Sequence, residues 1–224
     1  MLTKLLLLIT ACYCLTVHAQ EKQWQLWKQQ DGASISYKKH DNGIFEVRGS
    51  ITVAGRTADD FMALLSDTQQ APLWIENVTS VEVLSRLSAS ETIVYTRLDS
   101  PWPVTDRDMV SYSCYRRLSP SQTELIIKAY PDYKAELDSV IRIKDLQARW
   151  LLDEKNTEHG RSLTLTHDVY ADPGGAIPHW ISNKVGLKSA LKTLLELRRQ
   201  LNMKAYTPAL QISQAGDCAK GILH

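Results

Sequence analysis

Residues 172–201, with the sequence DPGGAIPHWISNKVGLKSALKTLLELRRQL, constrain the fold of this chain more than any other stretch. Apolar residues recur three and four positions apart, the spacing that places side chains on one face of an α-helix. Charged residues occupy the opposite face. The pattern predicts a helix of about 25 residues, roughly 38 Å long. Its apolar stripe consists of Leu187, Ala190, Leu191, Leu194, Leu197 and Leu201.

The turn before this helix contains two consecutive glycines and a proline. Gly174 and Gly175 can adopt positive φ angles at little steric cost, and Pro178 is tolerated only in the first helical turn. We therefore expect the helix to begin near Ala176 or Ile177. Two interpretations fit its apolar stripe: a helix that closes an ordinary core, or a lid over a cavity. Periodicity alone favours the ordinary core.

Residues 1–19 have the features of a secretory signal peptide. Lys4 provides a positive charge, residues 5–15 are apolar, and small residues precede an expected cleavage after Ala19. The alternative is a bacterial lipoprotein signal in which Cys12 would carry lipid, although few apolar residues precede it. Either signal predicts an exported, periplasmic protein.

The remaining chain suits one domain over residues 20–202, followed by a polar tail over residues 203–224 that we expect to be flexible. The full sequence has 26 Lys plus Arg and 25 Asp plus Glu, and removal of Lys4 with the signal leaves them balanced, so no nucleic-acid-binding surface is indicated. Export would permit a disulfide between Cys114 and Cys218. Because Cys114 lies in a strand-like run and Cys218 in the polar tail, we do not expect them to pair.

Most of the chain has the residue pattern of antiparallel strands. Residues 23–29 are expected to form a short helix or an arm, and Thr57 is expected to cap a short helix. An Asn-Gly pair at residues 42–43 predicts a hairpin between two strands. Eight strands are predicted in all, within residues 34–39, 45–53, 81–83, 92–98, 109–118, 123–130, 144–154 and 162–171.

These strands are too closely spaced for helical crossovers between parallel strands. A sheet of that size has a wide apolar face, and the terminal helix is the only predicted element long enough to cover it. The sequence therefore predicts an α+β fold in which a strongly curved antiparallel sheet wraps around the C-terminal helix.

Two motifs resemble those of the START family, the lipid-transfer domains related to the steroidogenic acute regulatory protein. The first is SPWPVTDRD at residues 100–108, between two predicted strands. The second is DPGGAIP at residues 172–178, followed by Trp180 and Asn183. The resemblance spans roughly residues 23–202 and is greatest to small exported bacterial members.

This resemblance implies a helix-grip fold, in which a U-shaped sheet and the terminal helix enclose a tunnel for one lipid or sterol. Proteins of this kind carry no metal or organic cofactor and perform no chemistry. On this basis we interpret the terminal helix as a lid rather than as an ordinary core helix.

Candidate lipid-binding residues each have a structural alternative. Arg97, on the same strand face as Tyr95, would turn inward and fix the polar group of a ligand. Alternatively, it lies at the surface or pairs with Asp99 or Asp106. Arg107 belongs to the START-like motif, and we favour a structural role for it in a tight turn.

Three tryptophans and three leucines complete the candidate site. Trp74 and Trp180 would line the ligand entrance or touch a bilayer, where Trp is favoured at the interface. Ordinary core packing is their alternative. Trp102 would cap the mouth of the tunnel or pack on the sheet. The lid would contribute Leu187, Leu191 and Leu194, which face either a ligand or other side chains.

The sequence contains no HExxH motif, no closely spaced Cys/His set and no GxSxG motif. The favoured hypothesis is a monomeric, non-enzymatic protein that binds one lipid, sterol or other apolar molecule and contacts membranes transiently. The first alternative is a cyclase- or aromatase-like enzyme that uses Asp99, Arg97 and Tyr95. The second is an interaction module whose sheet encloses no cavity.

Overall fold

The computed structural model describes residues 23–101, 103–158, 160–203 and Cys218. In this part of the chain, ten strands form one sheet, accompanied by two α-helices and two short 3-10 helices. The strands are β1 (Gln25–Gln30), β2 (Ala33–Lys39), β3 (Phe45–Ala54), β4 (Val78–Arg86), β5 (Glu91–Leu98), β6 (Arg107–Arg117), β7 (Gln122–Ala129), β8 (Ile141–Arg142), β9 (Asp145–Thr157) and β10 (Gly160–Asp172). The helices are α1 (Ala58–Ser66) and α2 (His179–Met203), and the 3-10 helices span Thr68–Leu73 and Pro131–Tyr133.

The sheet has the strand order β1-β2-β3-β10-β9-β7-β6-β5-β4, and neighbouring strands along this path are antiparallel. The two-residue strand β8 pairs with β6 in parallel. Pairing of β3 with β10 places the N-terminal hairpin beside the last strand, so that the sheet curves around α2. The predicted α+β helix-grip architecture is confirmed.

The short helix α1 begins as predicted. Thr57 Oγ1 accepts a hydrogen bond from the backbone N–H of Asp60, while the Asp60 carboxylate accepts one from the Thr57 N–H. This reciprocal arrangement satisfies two N–H groups that have no partner inside the helix. The cap fixes the direction in which α1 leaves β3, so that Phe61 and Leu64 enter the core.

The helical alternative for residues 23–29 and the predicted start of the terminal helix are wrong. Residues 23–29 do not form a helix, because residues from Gln25 onward pair with β2 as an edge strand whose outer side chains are mostly exposed. Such a strand has little of the apolar alternation that identifies a strand in a sequence. Helix α2 begins at His179 rather than near Ala176 or Ile177, because the carbonyl of Pro178 accepts the first helical hydrogen bonds, from Ile181 and Ser182.

The second half of α2 packs into the main hydrophobic core on the concave face of the sheet. Leu194 lies directly over Gly49 of β3, where an added Cβ would come within 2.7 Å of Leu194 Cδ1 and 3.2 Å of Ile35 Cδ1. Glycine therefore permits a closer approach of helix and sheet than any larger residue would allow. The same core contains Phe61, Trp150, Leu152, Leu163, Leu165, Leu197 and Leu201.

The prediction that Cys114 and Cys218 remain unpaired is wrong. They form a disulfide, with an S–S distance of 2.03 Å and Cα atoms 5.7 Å apart. Cys114 lies on β6 beside Tyr112, on the face of the sheet turned away from α2. The two cysteines are 104 positions apart in the sequence, and local sequence patterns do not show which distant residues come together in the fold. Residues 1–22, where the export signal is predicted, and most of the predicted tail lie outside the described residues.

Reduction of this disulfide is expected to lower the free energy of unfolding by about 2–4 kcal/mol, because the bond restricts the unfolded chain. Urea unfolding with and without a thiol reductant measures the difference. The Cys114→Ala/Cys218→Ala variant should be as unstable without reductant as the reduced wild type, and should not respond to reductant. Equal unfolding midpoints for the oxidised and reduced wild type would contradict the prediction.

Candidate functional site

A cavity of about 440 Å³ lies between the first half of α2 and the concave face of the sheet. Its volume falls within the range of small-molecule sites. Side chains from several parts of the chain surround it, and most of them are apolar. The lining includes Ile181 and Val185 of α2, Val47 of β3, Val169 and Ala171 of β10, and Pro101, Pro103 and Val104 of the β5–β6 connection.

Asn183 fastens the first half of α2 to the β2–β3 hairpin. Its side-chain N–H donates to the carbonyl of Gly43 at 2.9 Å, and its side-chain oxygen accepts from the N–H of Phe45 at 2.9 Å. Both Asn183 and Phe45 line the cavity. One amide side chain thus closes the gap between the lid helix and the sheet by satisfying two backbone groups at the turn.

A second set of contacts joins the middle of α2 to the segment before β4. The side chain of Asn77 donates to Ser189 Oγ at 2.8 Å, and the Glu76 N–H donates to Thr193 Oγ1 at 3.0 Å. Lys192 adds an ion pair with Glu76 at 2.8 Å. These bonds fix the opposite rim of the cavity without placing a charged group deep inside it.

Arg107 joins the two START-like motifs. Its guanidinium donates to the carbonyls of Pro173 and Gly174 in the turn before α2, at 3.3 and 3.2 Å. It also donates to Ser100 Oγ at 3.3 Å and to the carbonyl of Thr105. The structural role favoured for Arg107 is therefore present, and the same residue also lines the cavity.

The turn held by Arg107 contains the two glycines predicted to adopt positive φ. Gly174 has φ 63° and Gly175 has φ 71°, in the left-handed region that other residues rarely occupy. An added Cβ at Gly175 would also come within 2.8 Å of Ile141 Cδ1. The backbone conformation therefore favours glycine at the entry to α2, and a side chain at position 175 would also displace the end of Ile141.

Tyr95 and Arg97 lie on the face of the sheet turned away from the cavity. Tyr95 packs with Ile93 and Val110 in a separate cluster, and its register partner Val110 shares that face with Cys114. Strand alternation places Arg97 on the same side. The inward position expected for Arg97 is therefore not what the structure shows, and neither residue is among those that line the cavity.

Asp99 lies at the exposed rim of the cavity. The three groups considered for an enzyme, Asp99, Arg97 and Tyr95, are therefore not brought together around one substrate position. Burial, and then the carboxylate of Asp108, raise the pKa of Tyr95. This keeps its phenol protonated rather than available as a base.

The described tryptophans have different surroundings. Trp74 is 2% exposed and belongs to the main core, whereas Trp180 is 70% exposed at the start of α2. Trp102 lies outside the described residues. Trp180 directly precedes the cavity-lining Ile181, so it lies near the mouth without entering the cavity.

The three leucines proposed for the lid are buried in the main core: Leu187, Leu191 and Leu194. The residues that line the cavity from α2 instead include Ile181, Val185 and Ser189. Sequence analysis missed them, although Ile181 and Val185 are four positions apart and extend an apolar stripe toward the helix start. Their spacing places them on an apolar helix face, but it does not show that they line a cavity rather than a filled core.

Two buried charges lie behind the cavity wall. Asp108 is fully buried and accepts two hydrogen bonds from Arg142, at 2.7 and 3.0 Å. Arg142 also donates to the carbonyls of Pro131, Lys134 and Ala135. The hydrogen bond to Asp108 raises the pKa of Arg142, which stays charged despite burial. The aspartate of the START-like motif therefore neutralises an arginine of β8.

His167 of β10 lies on the concave face. Its imidazole stacks on the indole of Trp150, with ring centroids 4.0 Å apart. The ring keeps some accessible surface, but the surrounding core lowers the pKa of His167 to about 4. The residue is therefore neutral at physiological pH.

Among the described residues, no cluster of three or more His, Cys, Asp or Glu is arranged to hold a metal ion. Neither described α-helix combines the length and apolar character needed to cross a membrane.

A curved antiparallel sheet packed around a long C-terminal helix defines a helix-grip protein. The chain belongs to the START domain family, whose sequence model matches residues 12–205. It is 27% identical over 196 residues to an uncharacterized protein of Pseudomonas aeruginosa, a match that covers 87% of this chain and 95% of that protein. START domain-containing protein 10 of Homo sapiens is 23% identical over 170 residues, which cover 73% of this chain and 56% of that protein.

Solved structures have the same fold. A STAR-related lipid transfer protein fragment from Xanthomonas axonopodis superposes with a TM-score of 0.72 at 27% identity, covering 80% of this chain and 99% of that one. Human StAR-related lipid transfer protein 5 superposes with a TM-score of 0.71 at 15% identity, covering 83% and 88%. The second likeness concerns the fold alone.

Asp108→Asn is expected to destabilise the protein by about 3–5 kcal/mol, because it leaves the buried Arg142 without a negative partner. Chemical unfolding measures the change. Glu136→Gln, which breaks the exposed ion pair with Lys144, serves as the control and should cost less than about 1 kcal/mol. Equal effects of the two substitutions would contradict a structural role for Asp108.

The neutral, partly buried state of His167 predicts a pH dependence of stability. Its pKa is about 4 in the folded protein, so the unfolded chain binds the proton more readily. Neutral His167 therefore contributes roughly 3 kcal/mol to the free energy of unfolding. This contribution is fully present above about pH 6.5 and is lost as the pH falls toward about 4. Unfolding free energies measured across this range should fall more steeply for the wild type than for His167→Gln. Parallel curves would contradict the prediction.

Proposed function

We propose that the protein binds one lipid, sterol or similar apolar small molecule in the cavity beneath the first half of α2, and that it acts as a carrier rather than an enzyme. The observation that carries this proposal is the cavity of about 440 Å³, lined mostly by apolar side chains. Burial of an apolar ligand there would contribute roughly 25 cal/mol per Å² before the costs of association. The family membership and the names of the lipid-transfer relatives support the same class of ligand.

Ligand entry would require a movement of the lid. The first half of α2, with Ser182, Asn183 and Gly186, contains poor helix formers and is held to the sheet by side-chain hydrogen bonds. The second half is held by buried leucines. Opening at the first half therefore breaks a few polar contacts and leaves the core intact.

The carrier would load and unload at a membrane surface. Trp180 is exposed at the mouth of the cavity, and Trp is favoured at the bilayer interface. Lys184 and Lys188 follow at four-residue spacing and are also exposed, which suits contact with anionic headgroups. The contact would be transient, and the working form a monomer.

Export to an oxidising compartment forms part of the proposal. The Cys114–Cys218 disulfide supports it, because such bonds persist mainly outside the reducing cytoplasm. The signal-like composition of residues 1–19 supports it as well, with lipid attachment at Cys12 as the less favoured alternative.

Native mass spectrometry of the protein purified from its own compartment tests the central proposal. A complex with one lipid-sized molecule, lost on denaturation, is expected, and extraction then identifies the ligand. A bare chain mass, together with no uptake of fluorescent lipids or sterols, would overturn the proposal.

Gly186 allows stability and binding to be separated. It lines the cavity, and a Cβ added there would meet no atom within 4 Å. Gly186→Leu should stabilise the helix by up to about 1 kcal/mol. It should also weaken ligand uptake by about tenfold or more, because the side chain occupies ligand space.

Gly186→Ala is the matched control, since it gives a similar gain in helix propensity and fills little of the cavity. It should retain binding close to that of the wild type. Thermal unfolding and titration with a fluorescent lipid measure the two effects. Unchanged lipid uptake by a folded Gly186→Leu variant would place the ligand elsewhere.

A further inference from the structure

Arg107 differs from the other residues around the cavity. It is 4% exposed, yet it lines the same cavity as the apolar side chains of α2 and the sheet. A buried cation is costly unless an opposite charge or several strong acceptors compensate it. The charge of the groups that contact Arg107 therefore bears on the kind of ligand that the cavity would bind.

These partners are all neutral. Among the described residues, Arg107 bonds three backbone carbonyls and the hydroxyl of Ser100, and it forms no ion pair. Three of its four bonds measure 3.2 to 3.3 Å, longer than the 2.7–2.9 Å typical of a guanidinium–carboxylate contact. Burial lowers the pKa of Arg107, and Asp106 offsets this only in part.

Neighbouring acids are engaged elsewhere or exposed. The Asp106 carboxylate accepts from the Ser100 N–H at 2.9 Å, and Glu76 is paired with Lys192 at 2.8 Å. Asp99 lies at the exposed rim. The buried Arg142 on the other side of the sheet, by contrast, has a carboxylate partner of its own, Asp108.

We propose that the ligand is an anionic amphiphile, whose carboxylate or phosphate lies against Arg107 and whose hydrocarbon part fills the apolar cavity. This inference rests on the proposed function and adds the charge of the ligand to it. An anion would supply the missing counter-charge and accept shorter, stronger hydrogen bonds than the present neutral partners. Recognition would combine charge at one end with apolar burial at the other.

Paired probes with the same hydrocarbon chain test the proposal. The delipidated full chain is loaded with the dye Nile red and titrated with oleate or oleyl alcohol at about pH 8, where a carboxylate is ionised. Concentrations stay below those at which the probes aggregate. Oleate is expected to displace the dye at a concentration about tenfold lower than oleyl alcohol, and octadecyl phosphate is compared with octadecanol in the same way. Preference for one anion over the other assigns the headgroup, and either preference supports the proposal.

Two variants identify the group responsible. Arg107→Gln should abolish the preference for the anion while retaining displacement by oleyl alcohol. The Lys184→Gln/Lys188→Gln variant, which removes exposed charges of α2, should keep the preference. Persistence of the preference in Arg107→Gln, or its loss in the double lysine variant, would overturn the proposal.

The remaining outcomes separate this inference from the proposed function. Equal displacement by both members of each pair in the wild type would overturn the anionic ligand and leave lipid binding intact. No displacement by any probe, together with a bare chain mass in native mass spectrometry, would overturn lipid binding itself. Should Arg107→Gln fail to fold by circular dichroism, the wild-type comparison and the lysine variant decide the matter.

Discussion

The packing of Leu194 against Gly49 is the contact on which the rest of the structure depends. It places the second half of α2 within the concave face of the sheet, and Leu187, Leu191, Leu197 and Leu201 are buried around it. Each fully buried leucine contributes about 1.5–3 kcal/mol. Because this half is fixed so firmly, the first half can lie apart from the sheet and leave a cavity without loss of the fold.

The two halves of the terminal helix have different surroundings. From Leu187 onward it is a core helix, and before Leu187 it covers a cavity. The contacts change in kind at the same place: buried apolar side chains hold the second half, whereas the side chain of Asn183 holds the first. Under the proposed function, stability and ligand access would therefore depend on different residues of one continuous helix.

Sequence analysis predicted eight of the ten described strands, the capped helix α1 and the apolar stripe of α2, but neither the edge strand β1 nor the two-residue strand β8. It did not identify which face of β5 is inward, because both faces carry apolar residues: Ile93 and Tyr95 on one, Val94 and Leu98 on the other. The outer face is itself buried in a second cluster, so alternation carries no information there. The cavity is equally invisible, since Ile181 and Leu191 are the same kind of residue and differ only in whether another side chain meets them.

If the proposed ligand enters beneath the first half of α2, the division of the helix also determines how far that half must move. Between Leu187 and Trp180 the helix rises about 10 Å, so a tilt of ~20° about Leu187 displaces the mouth by roughly 4 Å. That displacement is comparable to the contact separation of two carbon atoms. A small tilt of the first two turns of α2 would therefore open a gap wide enough for a hydrocarbon chain, while Leu194 remains packed against Gly49. Breaking the hydrogen bonds of Asn183 would thus be enough to release residues 180–187 for this movement.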